Sequence, residues 1–375
     1  MKRFTFVIVL GLTPLSLFAG IYDPISLLPQ AKQSPFLPNE KSPFQIRDGK
    51  AVPLEFGSRF DGDFANRMAA LSNMLDANPK RQSNPDRDAE FARIKELQAM
   101  PDSKTSPLVA AALAAAYVRV GKSDQAVAIL FPYSRGRSAT FAVLMNLAHA
   151  HATMQDWESA LRTHEVALEY DAKDELKSLS PDQLKWLLNI EKKYYRAWLS
   201  WNLKNPKPNP ATDEPPPIFG PIKWVNAAGE YEPGKLAESE KAKLPADAIA
   251  IVQQMRLWNP TDTNLYWLLA ELYAADGQLR QAATIFDQCA NSLQFSNRKL
   301  LMAHREAVNN AVAKLPPEST DDLLIKGLDS PKPAEEGDNG LPPMNQVIIV
   351  SAIALPIVLL LLYLQARKLI RAMKR

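Results

Sequence analysis

A spacing constrains this chain more than any composition does. Ala114, Tyr117, Gly121, Ala126 and Leu130 are followed 34 residues later by Ala148, His151, Gln155, Ala160 and His164, and the same internal spacing returns at Ala270, Tyr273, Gly277, Ala282 and Phe286. A pitch of this size belongs to helical hairpins stacked one on the next. Small residues stand where two helices approach closely, and the larger residue of the first helix meets the larger residue of the second. Such a unit cannot bury its apolar face alone, so it stacks on neighbours and leaves a long surface for partners. The expected fold is all-α, an α-solenoid of helical hairpins with a proline-rich insert and one C-terminal transmembrane helix.

The two ends carry different signals. Met1-Lys2-Arg3 precedes an uncharged run from Phe4 to Phe18 and then Ala19-Gly20, the form of a secretory signal with a small residue at the cut. Val347 to Leu364 is an 18-residue run without charge, and at about 1.5 Å per residue it nearly spans a hydrocarbon core of roughly 30 Å. Arg367, Lys368, Arg371, Lys374 and Arg375 follow it, whereas Asp329, Glu335, Glu336 and Asp338 precede it. That asymmetry predicts a cytoplasmic C-terminus. The expected location is a bacterial inner membrane, crossed once, with the N-terminal domain periplasmic or luminal.

Net charge is +3, but seven of the 44 basic residues lie in the signal and the tail, leaving 37 against 41 acidic ones. The body is thus acidic, which disfavours nucleic acid as a partner. The single cysteine, Cys289, can form no intramolecular disulfide, so the fold depends on its own core.

Composition divides the chain further. After the signal at 1–19, residues 20–60 carry Pro24, Pro29, Pro35, Pro38, Pro43 and Pro53 without a helical period and read as an extended arm. A first helical block is expected over 61–204. It closes on a helix capped by Ser180-Pro181-Asp182-Gln183, with Leu184, Leu187, Leu188, Tyr195, Trp198 and Leu199 as its apolar stripe. Prolines between 206 and 221 mark a linker or insert over 205–232, in which residues 222–231 suit a small β-hairpin or an irregular plug. A second block with a terminal capping helix is expected over 233–315, then a flexible stalk at 316–345, the span at 346–365 and the basic tail at 366–375. Two short blocks joined by a linker are expected rather than one smooth superhelix.

At Leu113-Ala114-Tyr117-Gly121-Ala126, Leu147-Ala148-Ala160-Ala167 and Tyr266-Leu269-Ala270-Tyr273-Gly277-Ala282-Phe286 the chain resembles the tetratricopeptide repeat family. The second copy departs from the pattern, with His151 for tyrosine and Gln155 for glycine. The resemblance implies that protein partners lie on a concave surface lined by the first helix of each repeat. By phase that surface holds Arg119, Met145, His149, Thr153, Trp267 and Glu271, with Leu108 and Ala111. The paired lysine and asparagine residues with which family members capture a terminal carboxylate are absent. A mostly apolar groove is implied, suited to a segment with hydrophobic anchors, or else filled by the chain's own arm or long helix.

Little in the sequence points to catalysis. His149 and His151 are two apart on a helix and point in different directions, poor geometry for one metal. His151 and His164 occupy inward positions where they could meet each other. His164-Glu165 starts like a zinc-protease helix, but Leu168 stands where the second histidine is needed. No glycine-rich phosphate loop or nucleophile elbow occurs. Cys289 suits a buried inert thiol. Trp201 and Trp224, beside the insert, are the tryptophans expected to be exposed. No cofactor and no catalytic residue is assigned. The expected function is a non-catalytic scaffold that binds or recruits proteins, with self-association, a chaperone for exported clients or an envelope hydrolase near the insert as the competing readings.

Overall fold

The computed structural model describes residues 22, 44–47, 50–53, 68, 71–77, 84–177, 179, 181–205, 214–292 and 298–316. The expected signal, stalk, membrane span and tail lie outside them. Among the described residues no helix is long and apolar enough to cross a membrane. Apart from one antiparallel ribbon, β1 (Phe44–Arg47) with β2 (Lys50–Pro53), the named elements are helical. The described residues up to Leu315 form one compact unit, so the two helical blocks are not separate bodies.

The first block runs α1 (Pro85–Ala99), α2 (Pro107–Arg119), α3 (Ser123–Leu130), α4 (Phe141–Thr153) and α5 (Trp157–Ala167). Each start has a local cause. Asn84, Ser106, Thr140 and Asp156 accept hydrogen bonds from the first-turn amides of α1, α2, α4 and α5, and Pro85 and Pro107 sit where a missing N–H costs nothing. Glu175 adds a second cap from outside, its carboxylate accepting from the amides of Phe141 and Ala142 at 2.9 Å each.

The ends of the first helices are one motif repeated. Gly121, Gln155 and Gly277 have φ of 75°, 61° and 77°, the left-handed conformation in which a helix reverses into its partner. At each, the following amide returns to the helix: Lys122 N to Tyr117 O at 2.8 Å, Asp156 N to His151 O at 3.0 Å and Gln278 N to Tyr273 O at 2.9 Å. The 34-residue phase therefore fixes backbone geometry even where glutamine replaces glycine. Ala114, Ala126, Ala148, Ala160, Ala270, Tyr273, Ala282 and Phe286 are fully buried, and Tyr117 nearly so.

The helix expected from Pro181 is real but irregular. It runs as α6 (Pro181–Asn189), widens into a π-helical stretch over Ile190–Tyr195, and resumes as α7 (Arg196–Lys204). Ile190, Glu191, Tyr194 and Tyr195 of the wide turn are all buried. Tyr195 packs edge-on against Trp258 at 5.7 Å, and Trp186 Nε1 donates to Asp247 Oδ2 at 2.5 Å. Those contacts fuse the first block to the second, α8 (Glu238–Lys241), α9 (Ala248–Trp258), α10 (Thr263–Ala275), α11 (Leu279–Ser292) and α12 (Arg298–Val312). The segment before α8 forms the irregular plug rather than the hairpin. Its tight turn closes Asn226 N on Glu230 O at 2.7 Å, and no strand is named in it.

Candidate partner-binding site

The inner face of the first block is organised around one carboxylate. Glu191, carried inward by the π-helical turn, is fully buried. It accepts from the hydroxyl of Tyr22 at 2.7 Å, lies 3.2 Å from His149 Nε2 on α4 and 2.9 Å from His164 Nε2 on α5. Burial alone would push its carboxyl up, but the charge and hydrogen bonds of the two imidazoles outweigh this and hold it down at about 2. Burial and the neighbouring Glu191 charge keep the Tyr22 phenol far above its usual value, so it stays a donor.

Tyr22 is held by its main chain as well. Its N–H donates to Asn146 Oδ1 at 3.0 Å, and its carbonyl accepts from Asn146 Nδ2 at 2.5 Å. The same Asn146 amide nitrogen lies 3.0 Å from the carbonyl of Ala111, which ties the clasp to α2. The Tyr22 ring meets Phe141 edge-on at 5.1 Å and Trp258 at 6.0 Å. His149, stacked on Tyr195 at 4.4 Å, closes the floor. Beside this socket a cavity of about 80 Å³ is walled by Trp157, Trp198 and Trp258, with Thr153, Gln155 and Asn259 among its polar lining.

The second block repeats the device. Glu271 on α10 accepts from Trp267 Nε1 at 2.7 Å and from the Tyr231 hydroxyl at 3.0 Å, and lies 2.7 Å from His304 Nδ1. Tyr231 stacks on His304 with ring centres 3.6 Å apart.

Of the two states the sequence left open for the groove, open to a partner or filled by the chain's own arm or long helix, these contacts describe the filled one. Met145, His149, Trp267 and Glu271 are inside the protein, and Arg119 is buried against Glu90 at 3.2 Å. Of the six expected groove residues only Thr153 is exposed, at the cavity; Leu108 is exposed and Ala111 buried. The reason is that Tyr22 and the π-helical turn cover the face in one block and Tyr231 with α12 covers it in the other. The two inward histidines do not meet either: His151 Nδ1 lies 3.2 Å from Asp156, while His164 turns to Glu191. Trp201 and Trp224 are half-buried rather than exposed. Cys289 is buried and its thiol is pushed up to about 12 by burial, slightly countered by Arg256. Among the described residues no cluster of three or more histidine, cysteine, aspartate or glutamate side chains could hold a metal ion.

Tyr22, Asn146 and Glu191 were not singled out by sequence pattern. Two of them left a trace: Asn146 interrupts the apolar run Phe141 to Leu147, and Glu191 falls four residues after Leu187 and four before Tyr195, in the middle of the apolar stripe. Tyr22 sits among prolines with no period and left none.

Residues 143–176, which span most of α4, all of α5 and the return to Leu176, match the model of the tetratricopeptide repeat. This stretch is similar to a tetratricopeptide repeat. The matched stretch is the copy carrying His151 and Gln155, and it contributes Asn146, His149 and His164 to the socket. Tetratricopeptide repeats mediate protein–protein interaction, and the site described here is built on one. No curated protein matches the chain.

Proposed function

We propose that this chain is an exported, non-catalytic scaffold of the tetratricopeptide type, held in a bacterial inner membrane by one C-terminal span, that recruits proteins at the envelope surface. The observation that supports this most directly is the seating of Tyr22. Asn146 on a repeat helix holds the N–H and carbonyl of this residue, and Glu191 on the π-helical turn holds its hydroxyl. An asparagine and a buried carboxylate arranged in this way suit the capture of an extended peptide. Anchoring raises the local concentration of whatever the scaffold holds, which strengthens weak contacts without new ones. The uncharged run at Val347–Leu364 and the basic tail support the anchor, and the acidic body with its leader-like start supports export.

The test is proximity labelling from the full-length protein in its native membrane, compared with a Thr153→Arg variant that blocks the exposed edge of the cavity. A small set of proteins labelled by the wild type and lost in the variant is expected. Identical neighbours in both, or none in either, would refute the scaffold reading at this face. Protease protection of the tail in sealed membranes, with digestion of the body only from the outer side, is the expected topology.

A further inference from the structure

We infer that the socket on α4 selects an extended partner segment presenting a tyrosine, and that Tyr22 is the chain's own occupant of that socket, in competition with the partner. This rests on the scaffold reading and names the chemistry of what is recruited.

The argument starts from what the socket reads. An extended residue shows its own N–H and C=O to the same side, as in the hydrogen-bonded pairs of an antiparallel ladder. The Asn146 carboxamide offers one acceptor and one donor to that pair and so grips main chain of any sequence in this conformation. Side-chain choice comes from below. The Phe141 edge and Trp258 take an aromatic ring, and Glu191 supplies an acceptor at 2.7 Å from the hydroxyl. Phenylalanine would fill the same space but leave a buried carboxylate short of one donor, which is costly. A carboxylate side chain would set like charge against Glu191.

A second observation points the same way. In the other block a segment outside the repeats is also fastened by a tyrosine hydroxyl on a buried repeat glutamate, Tyr231 on Glu271 at 3.0 Å. Fastening a tyrosine through its hydroxyl is thus what this chain's inner faces do. The Tyr231 contact carries the stacked His304 ring and borders a small pocket with Trp224 and Leu236, and Trp258, which meets the Tyr22 ring, lines the larger cavity alongside. A partner segment therefore has a continuing surface on which its next side chain can rest.

The experiment uses the full-length protein carrying Tyr22→Ala and a synthetic peptide of residues 20–26, together with the same peptide holding phenylalanine in the tyrosine's place. The expected result is saturable binding of the tyrosyl peptide, with a rise in thermal stability. The phenylalanyl peptide should bind at least about tenfold more weakly, as loss of a hydrogen bond to a charged group implies. Adding Glu191→Gln should erase that difference. Wild type, with its own arm in place, should bind the tyrosyl peptide more weakly than the variant. Should Tyr22→Ala fail to fold, Tyr22→Phe keeps the ring and the main-chain clasp while loosening the occupant, and must bind the tyrosyl peptide more tightly than wild type. Absence of binding to a folded variant, or equal binding of the two peptides, overturns the inference. Rescue by exchange between copies, seen as a dimer when Tyr22→Ala and Glu191→Gln chains are mixed, would make the occupant a second copy and overturn the partner assignment. Labelled neighbours that persist in a Glu191→Gln protein would leave the scaffold standing and remove only the tyrosine selection.

Discussion

Replacing Glu191 by glutamine tests the buried carboxylate through the pH dependence of stability. The carboxyl falls from 4.5 to about 2 in the folded protein, and at about 1.4 kcal/mol per unit that is about 3 kcal/mol of stability. The sign follows from the folded value lying below the unfolded one. The unfolded chain binds a proton first as pH falls, so the contribution is complete above about pH 4.5 and is lost progressively towards about pH 2. Roughly 2 kcal/mol should remain near pH 3.5 by the same relation. Glutamine carries no charge and cannot titrate. It also turns an amide towards groups that donate, which adds an offset independent of pH. Urea unfolding of full-length wild type and Glu191→Gln, from about neutral pH down to about pH 3, separates the two effects, because all other carboxylates cancel in the difference. Wild type should be the more stable at neutral pH, and the gap should narrow steadily below about pH 4.5. A gap that stays flat across that range would mean that the imidazoles do not hold the carboxylate charged, and the account of the socket floor would fail.

Three further substitutions test the repeat. Gln155→Gly should stabilise the protein slightly, since φ of 61° strains any residue with a Cβ, while Gly277→Ala at φ of 77° should destabilise it by about 1 kcal/mol; thermal unfolding that moves both variants in one direction would contradict the shared turn geometry. Ala282→Leu places extra volume where no surface is exposed and should cost about 1–3 kcal/mol by overpacking. An unchanged melting temperature for that variant would remove the close helix approach from the repeat.

The helices were legible because their cause is periodic. A residue such as Ala126 or Ala282 serves the same purpose in each copy, to let two helices touch, so the 34-residue phase exposes it. The phase leaves open whether the groove is filled, for a related reason. Position within a repeat shows that Met145 and Trp267 lie on the first helix's inner face, but whether that face is open depends on what lies over it. Here the covering pieces are Tyr22, the wide turn at Ile190–Tyr195 and Tyr231, none of which obeys the period.

The carboxylates show why such a site escapes a reading by pattern. Glu191 and Glu271 each stand on an apolar face where an unpaired charge would be prohibitive. Each is tolerable only because a tyrosine hydroxyl from a non-repeat segment and at least one histidine from a helix converge on it. In sequence these partners are separated by 169 residues for Tyr22 and Glu191 and by 40 for Tyr231 and Glu271, so no local window contains the arrangement. The lone acid inside an apolar stripe is nevertheless a usable signal. It states that donors must converge on it: the repeat helices bring His149, His164 and Trp267, and the arm and the insert each add a tyrosine hydroxyl, at Tyr22 and Tyr231. A tyrosine supplied by a partner would meet the same requirement at Glu191 whenever the arm yields its place, because the carboxylate selects the hydroxyl and the ring, not the chain that bears them.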